Sequence, residues 1–342
     1  MKIVKYHHLK WYFTTNIINI IRYKPYFHIF ATGKLKTVLN KMKHYFSRLE
    51  EAMKANWERP ALANYRGETF TFGELATQIA KFHLFFESIG LKKGDKVALC
   101  AKNSARWGVT FFAANTYEAV LVPILADFHP DSVNSLVDHS ESKVLLTDSD
   151  IWAKLDITKM PTVKAVISSS DFSLLYASEE SIQAANDNLQ NLFNEKYPSG
   201  FTASDVSYPI DNDKELAIIN YTSGTTSAPK GVMLRYECIS ANVDFGQKRL
   251  PSYPEDKIVS MLPMAHMYGM MFELIYPLCG GSSVYYLGKT PTPALLLGAM
   301  AEVKPYLVIT VPLVMEKIFK SKVAPVVNKP VMKAICAIPG LN

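Results

Sequence analysis

"YTSGTTSAPKGVML", residues 221–234, is the stretch on which the reading of this 342-residue chain depends. An apolar run at 216–220 leads into it, and a second one, 232–234, closes it. Between them, five hydroxyl side chains (Thr222, Ser223, Thr225, Thr226, Ser227), two glycines and one lysine crowd into a short turn. Such a loop aims backbone N–H groups and hydroxyls at an anion. Gly224 and Gly231 permit backbone angles closed to other residues, and Lys230 supplies a mobile positive charge. The pattern reads as strand, phosphate-binding loop, strand. The plainer alternative is a Ser/Thr-rich turn that only joins two strands.

Two other phosphate or nucleophile signatures are excluded. A Walker A loop needs Gly before its Lys and Ser or Thr after it, whereas Lys230 lies between Pro229 and Gly231. A G-x-S-x-G elbow is absent around Ser223, so an α/β-hydrolase lacks its turn.

On both sides of the loop, strand and helix alternate. Thr71 and Glu74 make a capping box, and Leu75, Ile79, Phe82, Phe86 and Ile89 repeat at helical spacing until Gly90 stops the helix. Strands are expected at 96–101, 119–123, 143–147, 216–220, 257–262, 282–287 and 307–311. Helices are expected at 104–117, after Pro130, from Tyr236, and at 268–278, 293–303 and 312–322. This alternation predicts an α/β fold of parallel sheets covered on both faces. Residues 170–213, dense in Ser, Asp and Asn, read as a polar connection with some helix. A boundary placed there gives α/β units at 42–205 and 206–342.

The composition, 49% hydrophobic and 20% charged, supports a large core and excludes disordered and fibrous classes. The longest apolar stretch, 108–125, is interrupted by Asn115 and Glu118, so no transmembrane helix is expected. Cys100, Cys238, Cys279 and Cys336 lie too far apart for a CxxC pair or zinc knuckle, which fits a reducing cytoplasm. The net charge of +6 is concentrated at one end: residues 1–41 hold eight Lys or Arg and no Asp or Glu, leaving 29 basic against 31 acidic side chains elsewhere. A nearly neutral body argues against nucleic acid, which needs a basic face on a folded domain.

That basic extension, rich in Tyr, Phe, His and Ile, has no steady period. Its apolar run is broken by Thr, Asn and Lys, unlike a secretory signal, and it lacks the Arg and Ser of a matrix presequence. A membrane-surface arm would give peripheral membrane contact but would show a cleaner apolar face. The favoured expectation is that residues 1–41 lie outside the fold, with Met42 as the translational start.

The loop resembles the phosphate-binding signature of the adenylate-forming superfamily, which includes acyl-CoA synthetases, firefly luciferase and peptide-synthetase adenylation domains. Those enzymes usually have Gly where this chain has Ser227, a change that costs roughly 1 kcal/mol if the position is left-handed. A second segment, "LPMAHMYGM" (262–270), resembles the one in which a His or aromatic side chain lies near the acyl carboxylate. "VITVPLVMEKIF" (308–319) resembles a third, a strand turning into a helix at Pro312. The likeness extends over about residues 45–342 and implies αβαβα subdomains of the family's N-terminal domain.

The resemblance also assigns roles. Thr222, Ser223, Gly224, Thr225, Thr226, Ser227 and Lys230 would hold the β- and γ-phosphates of ATP, with Thr225 a candidate contact for Mg2+. His266 would border the carboxylate beyond the end of a strand, where open α/β sheets bind ligands, and Tyr268 and Gly269 would line the acyl pocket. His266, Tyr268 and Gly269 each have a structural alternative, since a lone His is often satisfied in a core and Tyr268 and Gly269 read equally well as packing. Domains that select amino acids carry Phe-Asp near this segment. Here Ala265-His266 offers no carboxylate for an ammonium, and the Met-rich run that follows favours an apolar chain. The nearest resemblance is to bacterial long-chain fatty acid CoA ligases, with ATP, Mg2+ and coenzyme A as expected reactants.

No Tyr-Gly-x-Thr-Glu segment occurs in the sequence, nor do the family's ribose-binding aspartate, hinge and adenylation lysine. The expectation is therefore an N-terminal fragment of such a ligase, without turnover of its own. The alternative is a non-catalytic nucleotide- or acyl-binding module. Acyl length and oligomeric state are not legible.

Overall fold

The computed structural model describes residues 2–7, 10–11, 43–222, 230–288 and 292–310, together with positions 316, 320 and 325. The helix expected at 312–322, apart from positions 316 and 320, and residues 223–229 of the expected phosphate loop therefore lie outside the described residues. In chain order the elements begin with β1 (Lys2–His7), β2 (Lys10–Trp11), α1 (Tyr45–Ala55), β3 (Pro60–Asn64), β4 (Thr69–Thr71) and α2 (Phe72–Ser88). Next come β5 (Lys96–Cys100), α3 (Ala105–Thr116), β6 (Val120–Ile124), α4 (Pro130–His139), β7 (Ser142–Thr147) and α5 (Ser149–Trp152). They are followed by β8 (Ala165–Ser168), β9 (Leu174–Ala177), α6 (Glu180–Asp187), α7 (Leu189–Lys196), β10 (Leu216–Thr222), β11 (Lys230–Arg235) and α8 (Tyr236–Arg249). The series ends with β12 (Lys257–Ser260), α9 (Met267–Gly269), α10 (Tyr276–Leu278), β13 (Ser283–Tyr286), α11 (Pro293–Val303) and β14 (Leu307–Thr310).

Local chemistry sets the helix ends. The Thr71–Glu74 capping box is formed as read: Thr71 N–H donates to Glu74 Oε2 at 2.7 Å, and Glu74 N–H donates to Thr71 Oγ1 at 3.1 Å. At the other end of α2, Gly90 takes φ +68°, and Leu91 N–H reaches back to Phe86 O at 2.9 Å.

The strands form two sheets, ordered β11-β10-β6-β5-β7-β8-β9 and β2-β1-β14-β12-β13-β3-β4. Both have parallel centres: β6, β5, β7 and β8 run together in the first, and β14, β12, β13 and β3 in the second. Antiparallel strands close the edges, with β9 and β11 on the first sheet, and β4 and the β1–β2 pair on the second. Alternate residues of β5 face opposite cores. Val97 and Leu99 join the large cluster between the sheets, whereas Ala98 and Cys100 pack with Val133, Leu136 and Val137 of α4 on the outer face. Beyond the second sheet, Leu296, Ala299 and Val303 of α11 cover Ile258 and Leu307. The layers are thus helix, sheet, helix, sheet, helix, the αβαβα arrangement expected.

The middle layer explains why α3 is apolar all round. Trp107, Val109, Phe111 and Phe112 are fully buried, since this helix has a sheet on each side. At Gly108 a Cβ would stand 2.8 Å from Leu62 Cδ1 and 3.0 Å from the Tyr286 hydroxyl, so only glycine lets the helix lie this close to β3 and β13.

Two features differ from the linear reading. First, the sheets exchange strands. β10 and β11 complete the sheet built from residues 96–177, and β3 and β4 complete the sheet built from residues 257–310. A division at 205/206 therefore does not separate the sheets. Second, within the extension expected to lie outside the fold, the backbone of Lys2–His7 pairs antiparallel with β14, Lys2 opposite Thr310 and Lys5 opposite Leu307. A bare outer edge of β14 would offer unpaired backbone groups, and β1 supplies them with partners.

Candidate functional site

The phosphate loop springs from a hairpin. β10 and β11 pair antiparallel from Leu216↔Arg235 to Thr222↔Lys230, so the two ends of the loop lie side by side. Thr222 and Lys230 are both exposed there, and Thr222 Oγ1 sits 3.5 Å from Lys230 O. Ser223, Gly224, Thr225, Thr226 and Ser227 lie outside the described residues. Gly231 is needed for the stem, because a Cβ there would stand 2.9 Å from Ile219 Cγ2 and 3.4 Å from the Tyr221 ring. The Tyr221 hydroxyl in turn lies 2.6 Å from His139 Nδ1, which ties the stem to the end of α4.

His266 lies beyond the end of β12, on the segment crossing to α9, and its side chain is exposed. It is the N-cap residue of α9, but its side chain makes no capping bond to the first turn. Tyr268 is half-buried against Phe272, with ring centroids 5.3 Å apart, and burial, with a further push from Glu273, raises its hydroxyl to about 12. Gly269 is buried, and a Cβ there would be 2.7 Å from Pro263 O. Its smallness lets α9 fold back on the crossing segment, which fits the packing alternative as well as the pocket one.

Three side chains not singled out in the sequence hold residues 260–266 in place. Asn103, following β5, donates to Leu262 O at 2.6 Å and accepts from Met264 N–H at 2.9 Å. Asn220, on β10, donates to Ala265 O at 2.7 Å. Glu273 lies in a π-helical turn, Met270–Ile275, between α9 and α10, and a single oxygen, Oε2, accepts from Ser260 Oγ at 2.9 Å, Met261 N–H at 3.1 Å and Leu262 N–H at 2.9 Å. Glu273 is fully buried, and its other oxygen has no hydrogen-bond partner among the described residues. Burial raises its carboxyl to about 8 against the opposing pull of those three donors. The available signal was polarity out of place: Asn220 breaks the apolar run of β10, and Glu273 breaks that of the following helix.

A polar cleft of about 320 Å³ opens at the carboxyl ends of both sheets, bordered by Asn64, Asn103, Asp148 and Ser169 among others. Its charges are matched internally, with Lys102 Nζ 2.6 Å from Asp150 and Arg106 forked onto Glu68. The phosphate hairpin and the His266 segment also lie at the carboxyl ends of their sheets, joined by the Asn220–Ala265 bond.

Comparison with known proteins decides what this arrangement is. A family model described as AMP-binding enzyme matches residues 49–334. The chain belongs to that family. The long-chain-fatty-acid–CoA ligase heimdall of Drosophila melanogaster is 26% identical over 278 residues, covering 78% of this chain and 40% of that protein. The human long-chain-fatty-acid–CoA ligase ACSBG2 is 26% identical over 269 residues, covering 76% and 39%. The chain thus spans about two fifths of the length of these relatives. Among solved structures, the N-terminal domain of FACL13 from Mycobacterium tuberculosis superposes with TM-score 0.64 at 19% identity, covering 85% of this chain and 67% of that one. ATP-bound MatB from Rhodopseudomonas palustris also gives 0.64, at 21% identity, covering 82% and 52%. These likenesses establish the fold of the AMP-binding domain. Among the described residues, no helix is long and apolar enough to cross a membrane.

Proposed function

We propose that this AMP-binding domain holds ATP and a long-chain fatty acid for adenylation of the carboxylate, the first half of acyl-CoA formation. The observation that carries the reading is the pairing of two elements at the carboxyl ends of the sheets: the hydroxyl-rich hairpin ending in Thr222 and Lys230, and the His266 segment bonded to it through Asn220. The names of the curated relatives support the acid class.

In this reading the fatty acid carboxylate attacks the α-phosphorus, the bond to the β-phosphate breaks, and pyrophosphate leaves with the bonding electrons. Two anions meet, so the protein's task is positional and electrostatic. Thr222 to Ser227 and Lys230 cradle the β- and γ-phosphates and take up charge as pyrophosphate departs. Mg2+ bound with the triphosphate would neutralise part of its charge, and Thr225 is the residue that would meet it. His266 orients the carboxylate and transfers no proton, because a carboxylate nucleophile needs no general base. Tyr268 and Gly269 border the start of the acyl chain. In the second half-reaction the thiol of coenzyme A attacks the acyl carbonyl and AMP leaves.

The test is calorimetric titration of the purified chain with palmitate and with the magnesium complex of ATP. Binding of both is expected, and failure to bind either ligand overturns the reading.

A further inference from the structure

The ladder between β10 and the body of its sheet is short. Ile218 opposite Leu121 is the pair recorded between β10 and β6, and beyond it the strand that launches the phosphate loop is laddered to β11 alone among the described residues. The last turn of this strand is therefore anchored by side chains: Tyr221 through its hydroxyl to His139, and Asn220 through its amide to Ala265 O. The Asn220 bond is 2.7 Å long, its side chain is buried, and Ala265 directly precedes His266.

The receiving segment has little freedom to absorb a pull elsewhere. Asn103 fixes Leu262 O and Met264 N–H, and Glu273 fixes the N–H groups of Met261 and Leu262. His266 N–H closes onto Pro263 O at 3.1 Å, and Met270 N–H onto His266 O at 3.0 Å. The segment is pinned at its start to both neighbours and at its end to the phosphate strand. Any shift of β10 on taking up a triphosphate is delivered to the residue next to His266.

We propose that Asn220 is a positioning residue that couples the two ligand sites, carrying the displacement of the phosphate strand to His266 so that bound nucleotide sets the affinity for the acid. The inference rests on the reading of the hairpin as an ATP site and of His266 as a carboxylate neighbour. Coupling of this kind is a ratio of affinities. A bond that merely supported the fold would lower both affinities and the melting temperature while leaving the ratio unchanged.

The experiment uses the full chain, with palmitate as the acid probe and the magnesium complex of an α,β-methylene ATP analogue, which does not turn over. Palmitate affinity is measured by titration calorimetry with and without saturating analogue. The wild-type ratio is expected to be about fivefold or more. In Asn220→Ala it falls to about one, whatever each separate affinity does. Asn220→Ser carries the same test if the alanine form does not fold. Asn103→Ala, which loosens the same segment without touching β10, lowers the ratio only in part. A wild-type ratio of one, an unchanged ratio in the Asn220 variants, or an equal collapse in Asn103→Ala each overturns the coupling role. Wild-type chain that binds neither probe overturns the ATP and acid reading, and the inference with it.

Discussion

The buried carboxylate of Glu273 receives the backbone N–H of Leu262 at 2.9 Å, four residues before His266, and does so with the same oxygen that serves Met261 and Ser260. The consequence is a pH dependence of unusual sign. The folded carboxyl is raised to about 8 from an ordinary 4.5, so between those values the folded chain binds more protons than the unfolded one. Stability from this group is fully present below pH 4.5 and is lost as pH rises through about 8. Melting temperatures from pH 5 to 9 should fall more steeply for the wild type than for Glu273→Gln, which cannot ionise. Parallel curves would refute the assignment.

Removing the acceptor altogether is a different matter. Glu273→Leu strands the Ser260 hydroxyl and the N–H groups of Met261 and Leu262, each worth roughly 1–3 kcal/mol when left unsatisfied in a buried place. Urea titration should show a clear loss of stability, larger than that of Glu273→Gln at neutral pH. Equal losses would mean that the three bonds do not hold the segment.

Gly108→Ala places a methyl group against Leu62 and the Tyr286 hydroxyl in the layer between the sheets. Alanine's better helix propensity is worth about 1 kcal/mol and opposes the clash. Overpacking costs typically about 1–3 kcal/mol, so a net destabilisation of roughly 1 kcal/mol is expected by chemical denaturation. A stabilised variant would mean that α3 can retreat from β3 and β13.

Lys230→Ala should weaken binding of the magnesium–ATP analogue far more than binding of palmitate. One charge-assisted hydrogen bond is worth about 1.5–3 kcal/mol, or roughly ten- to a hundredfold in affinity. Titration of the two ligands separately decides this, and an equal loss for both would remove Lys230 from the phosphate site.

Deleting residues 1–41 strips β14 of its partner β1. Amide hydrogen exchange at 307–310 should quicken while that of β5 and β7, at the centre of the other sheet, stays slow. Unchanged protection of β14 would show that the extension contributes nothing to the sheet, as its composition alone suggested.

Periodicity made most of the fold legible. Continuous apolar runs over 96–101 and 143–147, and helical spacing from Leu75 to Ile89, marked elements that the structure reproduces within a residue or two. Helix α1 went unseen because its cap is the ring of His44, which accepts from Phe46 N–H at 3.1 Å, and histidine is not a usual capping residue. The π-helical turn was hidden for a related reason. Its apolar spacing matches an ordinary helix, and what sets it apart is Glu273 turning inward to the backbone of Met261 and Leu262, at the end of the preceding strand. Strand order was out of reach, since pairing of β10 with β6 joins residues about a hundred positions apart that share no local signal. At the candidate site the motifs named Thr222, Lys230 and His266. Asn103 and Asn220 became meaningful only when the sheets brought them to carbonyls of a distant loop.

The exchange of strands between the sheets bears on how the molecule is made. A nascent chain that has emerged only to residue 205 holds β5 to β9, but β6 stands at an open edge awaiting β10, while β3 and β4 have been synthesised without β13. Neither sheet can be finished before the ribosome has delivered the other half of the chain. Apolar edges stay uncovered through much of translation, a period in which molecular chaperones can protect them from pairing with other chains. Neither half of the chain contains a complete sheet, and the two halves reach their final form together.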